Sequence, residues 1–251
     1  ILALLFIVTI SYSQVAKVNP GGGGSYSVAI KNLGEIPALV AASALFADYT
    51  LTVAVSVSAG TVAIISAFPQ FAHHEVMIDL LVLLGILMIV NLRGVRESST
   101  AFVFPTYAFI LGILMLIISG VYQALTGVAP IIPQESLQRQ FDWTMLGLIL
   151  RAFANGCSSM TGVEAISNGV PMFKKPEVKN AQVTTYLMSG LLGLMFLGIT
   201  FLLMHYHINP LAEVTALSQL AEITLGRGWI YYYIQITTML ILYLAANTSF
   251  N

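Results

Sequence analysis

Charged residues are scarce in this 251-residue sequence: they make up 8% of it, whereas soluble globular domains contain about 25%. Hydrophobic residues make up 57%, and the mean hydropathy is +0.87. A chain with so few charged side chains cannot cover a globular surface in water. The composition therefore excludes a soluble enzyme, a soluble nucleic-acid-binding protein and a disordered chain.

Cysteine is almost absent as well, and the single Cys157 excludes a disulfide within the chain. The formal net charge is −1, and no basic cluster indicates a nucleic-acid partner. What the sequence does contain is long apolar runs, which are continuous rather than alternating. Continuous runs of about 20 residues are typical of transmembrane helices, whereas barrel strands alternate. The sequence therefore predicts an all-α polytopic membrane protein.

Seven candidate spans can be identified from the apolar runs. They are residues 1–16, 37–68, 76–92, 101–125, 143–171, 183–206 and 229–250. Because both ends of the sequence lie at apolar runs, we expect the chain to be a fragment of a longer protein.

The basic residues orient these spans, because cytoplasmic loops are enriched in Lys and Arg. Loops after the first, third and fifth spans hold Lys17, Lys31, Arg93, Arg96, Lys174, Lys175 and Lys179. The opposite side holds Arg139, Arg151 and Arg227. This bias predicts a multi-pass protein of the plasma or inner membrane in which loops 17–36 and 172–182 are cytoplasmic.

The fifth span, 143–171, is too long for one crossing and contains many polar residues. Gly156 and Gly162 interrupt it. Irregular backbone at membrane depth is tolerated only where protein or a water-filled cavity surrounds it, and a glycine-interrupted span indicates a transporter's binding site. We therefore expect a discontinuous helix here, with Gly156 and Gly162 as its hinges.

Hydroxyl side chains follow one face of the second span. Tyr49, Thr52 and Ser56 recur at helical spacing, with Asp48 at the edge of the same face. These hydroxyls are candidate substrate ligands, and an intramembrane carboxylate indicates a functional residue. In the alternative, the hydroxyls bond to the preceding turn or help helices to pack, and Asp48 forms a structural pair with a neighbouring helix.

In the fifth span, Thr161 and Glu164 flank Gly162. If the helix unwinds here, freed carbonyls and the Thr161 hydroxyl can bind a cation, whereas a helix N-terminus restarting nearby would favour an anion. Burial favours the protonated form of a carboxyl, so Glu164 is a candidate proton carrier. Alternatively, Glu164 forms a buried structural hydrogen bond.

Six motifs together resemble the amino acid–polyamine–organocation superfamily, and within it the KimA-type potassium importers are the closest branch. They are PGGGGSY at 20–26, KNLGE at 31–35, DYTLTVAVS at 48–56, NLRGVRE at 91–97, GVEAISN at 162–168 and LAAN at 244–247. The resemblance covers the whole chain, although loops 70–80 and 126–142 match nothing in it. It implies that Tyr49, Thr52, Ser56 and Thr161 bind potassium, and that Glu164 carries the proton of a symport cycle, with Asp48 as a second candidate.

The resemblance also implies an inverted 5+5 helix repeat, as in LeuT-like transporters, with discontinuous helices one and six around a central site. On this register, helices two to five lie in 1–125 and helices six to eight in 143–250. The first helix and the C-terminal part of the family are absent, so 1–251 is a partial transmembrane domain.

From these features we expect a non-enzymatic, proton-coupled potassium importer that works by alternating access, with its site between spans 37–68 and 143–171. The alternatives are an amino-acid or organic-cation permease and, with less support, an ion channel. We expect no cofactor or metal beyond the transported K⁺ and H⁺. The expected partners are the lipid bilayer, a small cation or amino-acid substrate and a second copy in a homodimer of the full-length protein, with no nucleic acid.

Overall fold

The computed structural model describes residues 1–92, 99–127, 143–158, 162–209 and 214–250. In these ranges all regular elements are helical, which confirms the predicted all-α class. The α-helices are α1 (Leu2–Val18), α2 (Gly24–Asn32), α3 (Glu35–Ala67), α4 (Glu75–Leu80), α5 (Ile89–Leu92), α6 (Ser99–Thr126), α7 (Trp143–Ser158), α8 (Val163–Asn168), α9 (Glu177–His205), α10 (Ala216–Leu225) and α11 (Trp229–Phe250).

Four helices are long and apolar enough to cross a membrane. They are α3, the part of α6 from Phe102 to Thr126, α9, and the part of α11 from Trp229 to Ser249. Each corresponds to one predicted span. The first span is the shorter apolar helix α1, and α7 covers the first half of the fifth.

The third predicted span is less regular than its apolar sequence suggests. It comprises α4, a π-helix over Leu81–Met88, and α5. In a π-helix the backbone bonds run from residue i to i+5, and such turns are often found at functional sites. A hydrophobic run shows that a span exists, but it does not distinguish α from π winding.

Two short helices lie outside the predicted spans. The first is α2, which follows the glycine-rich turn at Gly22 and Gly23. The second is α10, whose N-cap residue Thr215 accepts a hydrogen bond from the backbone N–H of Ser218 at 3.0 Å. Such a cap satisfies one of the open N–H groups at a helix start. Both helices are too short to span a bilayer.

The chain divides into two compact units, and the boundaries fall within α3 and α9. The first comprises Ile1–Asp48 and Ser136–Leu194, and the second comprises Tyr49–Glu135 and Met195–Asn251. In the first unit, α1 packs against α8 and α2. Leu5 and Val163 form one buried cluster there. This packing places the first turn of α8, and therefore Glu164, beside α1.

In the second unit, α6, α10 and α11 pack together. Their core includes Leu116, Leu220 and Ile234, all fully buried. The hydroxyl of the fully buried Tyr206 donates a hydrogen bond to the carbonyl oxygen of Gly120 at 2.9 Å, which satisfies its polar atom. A second apolar cluster joins α3, the π-helix and α11 through Val53, Val57, Val82, Leu87 and Ala246.

Candidate functional site

The fifth span is broken at Gly162, immediately before α8. Gly162 is the N-cap of α8 and adopts φ = 103°, a left-handed conformation that side chains other than glycine rarely adopt. Glu164 follows in the first turn of α8, and it is half-buried. Gly156 is buried two residues before α7 ends. Thr161, predicted as a ligand, lies outside the described residues.

Glu164 lies close to a tyrosine of α1 in the same unit. The Tyr12 hydroxyl donates a hydrogen bond to Oε2 of Glu164 at 3.5 Å, the long limit of such a bond. Ser25 and Asp48 contribute to the electrostatic surroundings of the Tyr12 hydroxyl. The structure thus brings one predicted proton-coupling carboxylate, Glu164, to a phenol of α1.

Sequence reasoning missed Tyr12. From its place near the end of a predicted span, it is expected among the interfacial aromatic residues. Its contact with Glu164 joins residues 152 positions apart in the chain. One pattern indicated weakly that Tyr12 faces other helices. It lies three residues after the buried Thr9, on the α1 face that also carries the buried Leu5 and Ala16.

Two of the motifs meet in this unit. The glycine-rich motif at 20–26 packs directly against Asn168, the last residue of the motif at 162–168. A side chain at Gly24 would collide with the Asn168 amide oxygen, and Gly24 also has a positive φ of 46°. At Gly22, which has φ = 78°, a side chain would collide with the backbone carbonyl oxygen of Asn168, so glycine lets the turn before α2 approach the end of α8 closely.

The predicted hydroxyl ligands Tyr49, Thr52 and Ser56 belong to the second unit, on the part of α3 after Asp48. Ser56 is 7% exposed, and Tyr49 and Thr52 are half-buried. The Thr52 Oγ1 atom is buried and has no hydrogen-bond partner among the described residues. A buried hydroxyl without a partner costs about 1–3 kcal/mol, which a bound ligand would recover.

Thr52 behaves differently from most buried hydroxyls of this chain. The usual arrangement is a hydrogen bond to the carbonyl oxygen one helical turn earlier, the common solution for hydroxyls in apolar helices. It is made by Thr9 to Leu5 at 2.6 Å, Ser66 to Val62 at 2.8 Å, Thr185 to Ala181 at 2.9 Å and Thr224 to Leu220 at 2.8 Å. Ser189 shares the unbonded state of Thr52. The structural alternative, a hydroxyl bonded to its own helix, therefore does not describe Thr52.

A second pair of motifs meets in the second unit. The Asn91 side-chain amide donates a hydrogen bond to Oδ1 of Asn247 at 2.9 Å, and it also donates to the Leu87 carbonyl oxygen at 2.8 Å. Asn247 is 7% exposed. These residues begin the motif at 91–97 and end the motif at 244–247. Two short patterns 156 residues apart thus form one contact between α5 and α11.

Apolar helices of spanning length and a span that is broken at Gly162 define the chain as part of a polytopic membrane protein. It belongs to the amino acid permease family, whose pattern matches residues 1–250. It is also 45% identical, over 252 aligned positions, to Potassium transporter KimA of Bacillus subtilis strain 168. That alignment covers 100% of this chain and 41% of the relative.

These comparisons settle three predictions. Membership of the amino acid–polyamine–organocation superfamily, and similarity to a KimA-type transporter, are confirmed. The prediction that the chain is not an enzyme is confirmed, because the family and the relative are transporters. That it is a membrane protein is confirmed by the family together with the apolar helices.

Proposed function

We propose that the protein containing this chain is a secondary active transporter of the plasma membrane that imports potassium together with protons. The observation that carries this proposal is the 45% identity to a potassium transporter along the whole of the chain. No cofactor is needed in this cycle, because K⁺ and H⁺ are the transported ions themselves.

The potassium ligands in this proposal are the hydroxyls of Tyr49, Thr52 and Ser56 with that of Thr161. Neutral hydroxyl and carbonyl oxygens can replace the hydration shell of a potassium ion. Among the described residues, no group of three His, Cys, Asp or Glu could hold a metal ion. An alkali cation does not require such a group, and the unbonded Oγ1 of Thr52 supports a ligand role.

Proton coupling falls to Glu164, with Asp48 as the second carboxylate. Tyr12 donates a hydrogen bond to Glu164, which is half-buried in the first turn of α8. Alternating access would then use the break in the fifth span, with Gly156 and Gly162 as hinges.

Uptake by the full-length protein in proteoliposomes tests this function. We expect rubidium or potassium to enter with acidification of the lumen, and we expect Glu164→Gln to make uptake insensitive to pH. Glu177→Gln, a change at the start of α9, is the matched control and should keep the pH response. Entry of neither ion would contradict the potassium proposal, and a pH response that survives Glu164→Gln would remove that residue from coupling.

The second candidate function is transport of an amino acid or another organic cation, which the name of the matching family favours. The carboxylates Asp48 and Glu164 could pair with a substrate ammonium group instead of potassium. Competition separates the two functions in the same vesicles. Labelled amino acid taken up without potassium dependence would support the permease, whereas rubidium uptake that an amino-acid mixture does not inhibit supports the potassium importer.

A further inference from the structure

The first unit contains a cavity of about 470 Å³ that the proposed transport site does not use. Its α1 wall consists of Ser11, Gln14, Val15 and Val18, whose spacing of three, four and seven residues places them on one helical face. At 1.5 Å per residue, this face is about 10 Å long. Small-molecule sites usually measure about 300–1,000 Å³, so the cavity is large enough for a ligand.

Helix α2 supplies the second wall of this α1–α2 cavity. Val28, Lys31 and Asn32 line it from α2, and Asn19, the C-cap residue of α1, lines it from the turn between the two helices. The ammonium group of Lys31 donates a hydrogen bond to Oδ1 of Asn19 at 2.7 Å. Although the Lys31 side chain is exposed, its charge is therefore held at the end of α1.

The orientation of Asn19 explains why this lysine is fixed. Asn19 is 8% exposed, and its amide nitrogen donates to the Gly22 carbonyl oxygen and, at 3.2 Å, to the Ser27 hydroxyl. Both amide N–H groups are thus used, and Oδ1 remains to accept from Lys31. An ammonium group has three N–H donors, so two of those on Lys31 are left for an anion.

The chemistry of the walls favours a ligand that is both anionic and partly apolar. The eight residues that line the cavity include one cation, Lys31, and no acid. Gln14 and Asn32 add side-chain amides, and the three valines add apolar surface. Lys17, exposed in the last turn of α1, adds a second positive charge nearby.

The place of the cavity along the chain puts it at the level of lipid headgroups. The first predicted span ends at residue 16, and the lining residues lie on both sides of that end, in 11–19 and 28–32. Loop 17–36 is on the predicted cytoplasmic side. The cytoplasmic leaflet carries anionic lipids, and basic pockets between helices on that side bind their headgroups.

We propose that the α1–α2 cavity binds the phosphate group of an anionic phospholipid from the cytoplasmic leaflet. Lys31 and Gln14 donate hydrogen bonds to the phosphate oxygens, and Val15, Val18 and Val28 contact the glycerol and the first methylene groups of the acyl chains. A soluble phosphate would use the same N–H donors but would leave the valines uncovered. A zwitterionic headgroup would bring a second cation to a cavity whose lining has no acid to pair with it.

The cavity is also connected to the broken span through α2. The turn before α2 packs closely against Asn168 at the end of α8, at both Gly22 and Gly24. A headgroup that fixes α2 against α1 therefore also holds the end of α8, the helix that carries Glu164. We expect anionic lipid to increase transport for this reason, and this part of the inference rests on the proposed function.

Thermal unfolding of the full-length protein in an uncharged detergent tests the binding. We expect short-chain phosphatidylglycerol to raise the melting temperature and phosphatidylcholine of the same chain length to leave it unchanged, because a ligand of the native state stabilises it. In Lys31→Gln the same rise should need about fivefold more lipid or higher. Lys31→Arg should keep the wild-type response.

Two matched controls separate the cavity from general charge and general bulk. Lys179→Gln removes an exposed cation on the same predicted side but outside the cavity, and it should respond as the wild type does. Val18→Trp should fill the cavity and abolish the response, whereas Val40→Trp, at another exposed valine, should not.

Three results would overturn the lipid site. One is an undiminished rise in both Lys31→Gln and Val18→Trp, and another is an equal loss in Lys179→Gln. The third is a rise that glycerol 3-phosphate or inorganic phosphate matches, which would assign the cavity to a soluble anion.

The effect on transport is read separately, as rubidium uptake by proteoliposomes with and without phosphatidylglycerol. We expect the anionic lipid to increase initial uptake in the wild type and in Lys179→Gln, but not in Lys31→Gln. If the wild type carries no alkali cation while the melting temperature still responds, the potassium proposal fails and the lipid site stands. Equal uptake in the two lipid mixtures would overturn the connection to α8.

Discussion

Thr52 shows how a hydroxyl bonded to its own helix differs from one that is left without a partner. Its Oγ1 is buried and unbonded, whereas Thr185, buried to 1%, bonds to its own helix. The identity of the residue and its helical spacing were available from the sequence, and both suited either interpretation. Only the position of the oxygen atom relative to the preceding carbonyl separates them.

At this residue we expect Thr52→Ala to reduce the rubidium affinity of the full-length protein by about tenfold or more, because a hydrogen bond or ligand contact to a charged group is worth about 1.5–3 kcal/mol. Ser189→Ala is the matched control, since its hydroxyl is also buried and unbonded but is not a proposed ligand. Initial uptake rates across a rubidium concentration series give both values. Equal losses in the two variants would contradict the ligand role of Thr52.

A residue can be identified from the sequence as a candidate site residue where its side chain is unusual for its surroundings. Asp48 and Glu164 stand out as carboxylates within apolar spans. Tyr12 does not, because it lies near the end of a predicted span, where aromatic residues are common. Its hydrogen bond to Glu164 joins residues 152 positions apart, which one sequence does not reveal.

At the scale of elements, the start of α8 lies at a glycine in a left-handed conformation. Gly162 has φ = 103°, and alanine in a left-handed conformation costs about 1–2 kcal/mol. We expect Gly162→Ala to lower the melting temperature of the purified full-length protein and to slow uptake. Gly147→Ala, in a helical position with open space around it, should leave both unchanged or raise stability slightly. A fall in melting temperature in Gly147→Ala but not in Gly162→Ala would contradict this prediction.

Helix positions follow closely from apolar runs, because burial in a membrane needs a continuous hydrophobic segment. The second predicted span, 37–68, is found as Glu35–Ala67. What hydropathy does not encode is local winding, and the π-helix at Leu81–Met88 shows this. Nor does it predict α2 and α10, which depend on a glycine turn and a threonine cap.

For the whole molecule, the distribution of basic residues predicts which side each loop faces. Lys174 is exposed before α9, on the predicted cytoplasmic side, and Arg227 lies before α11 on the other side. Arg227 forms an ion pair with Glu222 at 3.3 Å that is about half exposed, so replacing it should cost little stability.

We therefore expect Lys174→Cys, in a background in which Cys157 has been replaced by Ser, to react with an impermeant maleimide in inside-out vesicles and not in intact cells. Arg227→Cys should react in intact cells. The labelled fraction of each variant is the measurement, with permeabilised cells as the reference for full reactivity. The reversed pattern would contradict the orientation derived from positive charge.

The class of the molecule followed from composition, and its family followed from six short motifs. Four of these motifs contact one another in pairs. Gly24 lies against Asn168, and Asn91 bonds to Asn247. The cargo is harder to derive, because hydroxyls and carboxylates suit both a bare cation and an ammonium group. The chain spans 41% of the relative's length.

The bond between Asn91 and Asn247 also has a consequence for the order of assembly. Asn91 is synthesised before α11. The side-chain N–H of Asn91 that bonds to Asn247 therefore enters the bilayer before its acceptor has been made. In lipid, such a donor gains free energy by finding an acceptor on another helix. The helix α11 thus supplies the acceptor for a donor that was synthesised earlier. The second unit is complete only after α11 has been made.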